Sequence, residues 1–195
     1  MRTYLLAIVT CVLGCGGKPA ATTEPKDVSK PVEMAQPATA LVAPTVPAEI
    51  AVPEGHKLTF MAVAKGVQIY ECVAEAGAAL AWKLHAPRAD LFDDAGTQIG
   101  SHFGGVDKNL PPGPYWEAKD GSRVHAGKPA TAPNAGSIPL VRLEAADASG
   151  TGVFAKVKFV QRLDTTGGVA PAGACTAGKT TEVAYTAKYY FFTAS

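Results

Sequence analysis

Thr181-Glu182-Val183-Ala184-Tyr185-Thr186-Ala187-Lys188-Tyr189-Tyr190-Phe191-Phe192-Thr193 closes the chain as a long strand rich in Val, Tyr and Phe. Its first half alternates with period two, the spacing of a half-buried strand rather than a helix. Working back from it, Val153 to Val160 sets Lys156 and Lys158 on one face and Val157 and Phe159 on the other. That segment and Pro139 to Ala145 flank the turn Asp147-Ala148-Ser149-Gly150. Ser122 to Ala126 reads as another strand, and Ala89 to Phe92 with Thr97 to Phe103 flank the hairpin turn Asp93-Asp94-Ala95-Gly96. Ala81 to His85, Gly66 to Cys72 and Lys57 to Val63 complete the set, with Ala64-Lys65 as a tight connection between the last two. No long segment carries the helical period. Ten or so short strands separated by glycine-rich turns predict an all-β fold, a single antiparallel β-sandwich or barrel-like domain over residues 47–195.

Composition agrees. The 195 residues include 47% hydrophobic side chains, enough for a core, and Gly 20 and Pro 15 imply many turns. A formal net charge of +1 lacks the basic excess that a nucleic-acid partner requires.

Upstream of the strands, residues 16–46 have no aromatic residue and no apolar periodicity, as in Lys18-Pro19-Ala20-Ala21-Thr22-Thr23-Glu24-Pro25. Such a stretch buries too little surface to offset its ordering entropy and reads as a flexible tether. Before it comes a short positive start, Met1-Arg2-Thr3-Tyr4, then the apolar run Leu5 to Leu13. Val12-Leu13-Gly14-Cys15 has the pattern of a bacterial lipoprotein signal cut before Cys15. The run is too short to span a hydrocarbon core of about 30 Å. The expected organisation is a signal peptide at 1–14, an acylated Cys15 with a linker to residue 46, and a β-domain at 47–195. The expected location is the bacterial cell envelope, lipid-anchored, periplasmic or surface-exposed. Two or three acyl chains would hold the protein stably, where one holds marginally. The alternative is an ordinary secretory signal.

The chain has Cys 4: Cys11, Cys15, Cys72 and Cys175. Cys11 would leave with the signal and Cys15 would carry lipid. Cys72 and Cys175 then remain, an even pair in an oxidising compartment, and a disulfide is the expected use. A metal or redox pair is the alternative, although neither cysteine has a CxxC partner or a nearby histidine.

Several motifs imitate chemistry. Gly173-Ala174-Cys175-Thr176-Ala177-Gly178-Lys179-Thr180 satisfies the phosphate-loop expression, but that chemistry needs a helix N-terminus after the loop. Here a strand follows, so no nucleotide is expected. Gly150-Thr151-Gly152-Val153-Phe154-Ala155 imitates a dinucleotide fingerprint without any βαβ unit around it. His56, His85, His102 and His125 form no zinc spacing. Asp90, Asp93 and Asp94 lack the alternation of a calcium loop, and no G-x-S-x-G elbow is present. No metal, cofactor or catalytic residue is predicted.

One region is richer. Ser101-His102-Phe103-Gly104-Gly105 leads through a proline-rich loop to Tyr115-Trp116-Glu117-Ala118-Lys119-Asp120-Gly121-Ser122. An aromatic platform, an imidazole and a carboxylate near glycines suit a glycan or another polar ligand. His102, Trp116 and Asp120 are therefore the candidate ligand-binding residues. His102 with Asp120 or Glu117 could also perform general acid–base work. The plainer reading packs Trp116 at the edge of the core and makes Asp120-Gly121 a turn.

Gly66 to Cys72, Gly100-Ser101-His102-Phe103, Trp116-Glu117 with Asp120-Gly121-Ser122, Gln161 to Gly168 with Cys175, and Tyr185 to Phe191 occur in that order. Together they resemble a family of secreted bacterial and fungal proteins classed as a domain of unknown function. The resemblance runs from about Pro47 to the C-terminus and implies an exported protein with a paired-cysteine domain. It brings no established catalytic residue. Val106 to Pro112 departs from the family pattern as an insertion before the tryptophan. Three functions compete on this reading. The first is an envelope lipoprotein whose non-catalytic domain binds a glycan, small ligand or envelope partner. The second is an envelope hydrolase, and the third a purely structural surface protein.

Overall fold

The computed structural model describes residues 41–74 and 79–195. The signal segment, Cys15 and nearly all of the expected tether lie outside the described residues. Eight strands close into one antiparallel barrel in chain order: β1 (His56–Val73), β2 (Ala81–Phe92), β3 (Gln98–Gly104), β4 (Pro114–Ala118), β5 (Arg123–Ala132), β6 (Leu140–Ser149), β7 (Val157–Gly167) and β8 (Thr180–Ala194). The C-terminal strand β8 seals the barrel by pairing with β1 from His56↔Ala194 to Glu71↔Thr180. Closure leaves no unpaired sheet edge, which is how an all-β domain avoids templating its own aggregation.

Several local expectations change. Asp147-Ala148-Ser149, expected as a turn, finish β6 and pair with β5, and Ala81 to Phe92, expected as two strands, is one. Ala64-Lys65 is not a connection: β1 runs unbroken through both residues, and Ala64 is a buried core position paired with Ala187. Residues 153–156 form a turn, and β7 begins only at Val157. Pro114 to Ala118, expected as loop, is a strand that pairs with β3 and β5.

Period-two alternation sorts the side chains. Along β1 the buried set is Ala62, Ala64, Gln68, Tyr70 and Cys72. The interior matches small against large. Alanines 62, 64, 89, 118, 126 and 187 share one core with Trp116, Tyr185, Tyr189 and Phe191. An eight-stranded barrel is just wide enough to be filled by such side chains or to hold one small ligand.

The lower end, where β1 and β7 start and β4, β6 and β8 finish, is filled. The 150–156 turn turns Phe154 inward, fully buried, onto Phe191 (4.5 Å) and Phe60 (5.8 Å). Outside the wall, a strap through the short 3-10 turn Ala48–Ile50 crosses β5 to β7. Gln161 Nε2 donates to the Ile50 carbonyl (2.7 Å) and Arg142 Nη1 to that of Ala51 (2.8 Å). Val46, placed in the linker by the sequence reading, packs against Ile50, Ala132 and Leu163.

At the upper end, Cys72 is disulfide-bonded to Cys175, with Cα atoms 5.8 Å apart. The bond fastens the 168–179 connection to the end of β1. Gly178 N–H donates to Cys72 O, Cys72 N–H to Lys179 O, and the Tyr70 hydroxyl to Gly168 O (2.6 Å). The segment that mimics a phosphate loop is this stapled connection, and it leads directly into strand β8.

Candidate functional site

A cavity of about 300 Å³ lies in the upper half of the barrel. Its floor is aromatic. His102 on β3 pairs across the sheet with Trp116 on β4, and their rings stack at 4.5 Å and 16°. Tyr189 on β8 stands edge-on to Trp116 at 5.2 Å and lies 5.0 Å from His102. Alternation makes this possible: His102 and Trp116 point inward, while their neighbours Phe103 and Tyr115 stack with each other (5.6 Å, 3°) on the outer face. The sleeve above the floor is apolar, built from Pro87, Pro114, Pro129, Val141 and Leu143, with exposed Leu84 and Val106 at the rim.

The mouth is framed by the 105–113 connection. The connection folds down the outside of β3 to β5. The Tyr115 hydroxyl donates to Pro111 O (3.2 Å), and His125 Nε2, stacked on Tyr115 at 4.3 Å, donates to Pro112 O (3.1 Å). His85 on β2 ties down its first turn, standing between the carboxylates of Asp107 (3.1 Å) and Glu71 (3.5 Å).

The polar groups of the cavity are few and poorly satisfied. Gln68 is 1% exposed, and its Nε2 makes no hydrogen bond to any described residue. Trp116 Nε1 and Arg162 Nε are likewise buried without partners. A buried polar group without a partner costs about 1–3 kcal/mol. Arg162 on β7 pairs with Tyr189 in the sheet, and its Nη2 donates to Pro139 O (2.9 Å). Burial drives the His102 pKa down to about 3, outweighing the opposite effect of its bond to the Tyr115 carbonyl; the Arg162 charge adds to the lowering. His102 is therefore neutral near pH 7. Because a carbonyl only accepts, Nδ1 carries the proton in the 2.8 Å bond to Tyr115 O, which leaves Nε2 as an acceptor. The Tyr189 hydroxyl is buried and its pKa is raised, so it too stays uncharged. Among the described residues no Asp or Glu lines the cavity.

Of the residues singled out in the sequence, the structure brings His102 and Trp116 together in the cavity wall. Trp116 is fully buried. Asp120 stands apart, in the turn at the closed end. It accepts from Ser122 N–H (2.8 Å), Ser122 Oγ (2.6 Å) and Val153 N–H (2.9 Å), and Ser122 Oγ accepts in turn from Phe154 N–H (3.0 Å). These bonds, led by that from the Ser122 hydroxyl, lower the Asp120 pKa. Gly152 packs against the same carboxylate so closely that a β-carbon there would overlap it. The glycines of the dinucleotide-like motif thus serve this clamp. Glu117 faces outward and pairs with Arg123 (3.7 Å). Neither carboxylate bonds His102, whose partner is the Tyr115 carbonyl.

Residues 53–193 match the family described as protein of unknown function (DUF3455). The chain belongs to that family. No curated protein and no solved structure matches it. Val106 and Pro112 line the cavity mouth. Sequence reasoning missed Gln68, Arg162 and Tyr189. The readable signal for Gln68 was a polar residue in the inward phase of a strand whose other inward positions are apolar. Among the described residues no three His, Cys, Asp or Glu side chains gather as a metal site, and no helix is long and apolar enough to cross a membrane.

Proposed function

We propose that this chain is an envelope lipoprotein whose barrel binds a small, largely apolar organic molecule in the cavity above the His102–Trp116–Tyr189 floor, without catalysis. The observation that carries the reading is the Gln68 amide: a side chain 1% exposed, lining the cavity, whose Nε2 has no hydrogen-bond partner among the described residues. A barrel selected only for stability would fill that space with apolar atoms, as this one does at its lower end. A pocket with apolar walls and a few polar groups is the usual form of a small-molecule site, and about 300 Å³ is at the small end of the range. The non-catalytic reading is supported by a neutral His102 that no carboxylate touches. The membrane attachment rests on Val12-Leu13-Gly14-Cys15 and accords with the Cys72–Cys175 disulfide.

Thermal-shift screening of the full-length protein against small organic compounds should find stabilising ligands. Val141→Phe, which fills the cavity, should abolish those shifts while preserving the β-sheet circular dichroism spectrum. A filled variant that keeps every shift contradicts the reading. For the anchor, intact-mass analysis of protein from membranes should give a mature chain beginning at acylated Cys15. Full membrane partitioning of Cys15→Ala contradicts it.

A further inference from the structure

We infer that the cavity takes an organic carboxylate, with its apolar body in the proline and aliphatic sleeve and its oxyanion held by Arg162 and Gln68. The inference rests on the small-molecule reading above and names the ligand class for that same cavity.

Charge is the first argument. Arg88, Arg123, Lys128 and Lys188 each pair with a carboxylate, to Glu182, Glu117, Glu144 and Asp164. Arg162 has no such partner among the described residues, although it is partly buried and lines the cavity. It donates to the Pro139 carbonyl and also lies within hydrogen-bonding reach of the Tyr189 side chain, which still leaves part of a five-donor fork unused. The other ionisable groups in the wall, among the described residues, are His85, His102 and Tyr189, the last uncharged. His85 is already flanked by Asp107 and Glu71, and His102 is buried and neutral. Among the described residues, the cavity thus holds one positive charge without a carboxylate partner and no acidic side chain.

Donor polarity is the second argument. A guanidinium and an indole N–H only donate, and an amide can donate twice. A ligand that satisfies Arg162 and Gln68 must bring acceptors. A carboxylate brings two oxygens in the planar geometry that a guanidinium matches. An amine would place a second cation beside Arg162, and an alcohol supplies one oxygen and no charge. Size is the third argument: at about 30 Å³ per water-sized group, the space suits roughly ten non-hydrogen atoms, the size of octanoate or benzoate.

The test is calorimetry on the full-length protein with octanoate and benzoate, each compared with its matched alcohol (octanol, benzyl alcohol) and amine (octylamine, benzylamine). The carboxylates should bind about tenfold tighter or more, the factor for one charge-assisted hydrogen bond. Arg162→Met should erase the preference by weakening the carboxylates at least tenfold more than the alcohols, and Arg162→Lys, which keeps the charge, should retain part of it. Should Arg162→Met fail to give the native circular dichroism spectrum, Arg162→Lys and Gln68→Leu carry the comparison. Alcohols or amines that bind as tightly as the carboxylates, with heats abolished by Val141→Phe, would overturn the carboxylate inference and leave the cavity reading standing. If none of the six compounds binds, both are overturned.

Discussion

At the lower end of the barrel, Phe154 is driven between Phe60 and Phe191, and the turn that carries it is stitched down by Asp120 and Ser122. At the upper end, the same strands enclose open space, and Gln68 Nε2, the Trp116 N–H and the Arg162 Nε go without partners among the described residues. The difference is not one of available volume or of strand geometry. Each end has aromatic residues and tight connections, yet only the lower end uses them to complete the core. Arg142 Nε and Gln161 Oε1, beneath the strap outside the wall, are also unpartnered among the described residues, but only at the upper end do such groups belong to residues that line a cavity, and that separates the part of the fold that stabilises from the part available to recognise.

The strongest way to break the contrast is to remove what holds each end. Cys72→Ser/Cys175→Ser frees the upper connection across a separation of 103 residues. The chain-entropy ceiling for such a loop is about 4.7 kcal/mol. Urea denaturation should show a loss of that order or somewhat less, because β1 and β8 remain paired without the bond. Phe154→Ala at the closed end should cost about 4 kcal/mol, the range for emptying a packed aromatic site. It should leave binding at the upper end intact, which ligand titration of the variant would check.

His102 lies between the two ends and gives the contrast a pH signature. Its pKa falls from 6.5 to about 3 on folding, so the unfolded chain holds more protons between those values. Its contribution is therefore complete above pH 6.5 and is lost as the pH falls toward 3. Between pH 7 and pH 4 the loss should be on the order of 3 kcal/mol. Denaturation of His102→Phe and of the parent at the two pH values should show that increment vanish in the variant. Asp120→Ala, which removes only the stitch under Phe154, should cost about 1 kcal/mol and leave the cavity unchanged.

The sequence made the strands legible wherever one face met water, because alternation then survives: β8, the second half of β1 and the β2–β3 hairpin were all readable. It hid β4, where Pro114, Tyr115 and Trp116 are all partly or fully covered, and so no apolar–polar alternation is left to read. The break placed at Ala64-Lys65 failed because a polar residue facing out was mistaken for a turn. At the site, His102 and Trp116 stood out as an unusual cluster, and cross-strand pairing puts them side by side. Asp120 stood out equally, but four residues beyond Trp116 the chain has reached the other end of the barrel. Gln68 and Arg162 come from strands distant in sequence, and only barrel closure brings them to the same cavity.

The central claim is that the polar groups of the open end serve a ligand rather than the fold, and Gln68→Leu tests it most directly. Two quantities are measured on one variant: the free energy of unfolding without ligand, and the affinity for octanoate or benzoate. Removing a buried amide whose Nε2 is unpartnered should stabilise the free protein by about 1 kcal/mol while weakening the carboxylate. A variant that is less stable than the parent and binds the carboxylate just as well would contradict the account.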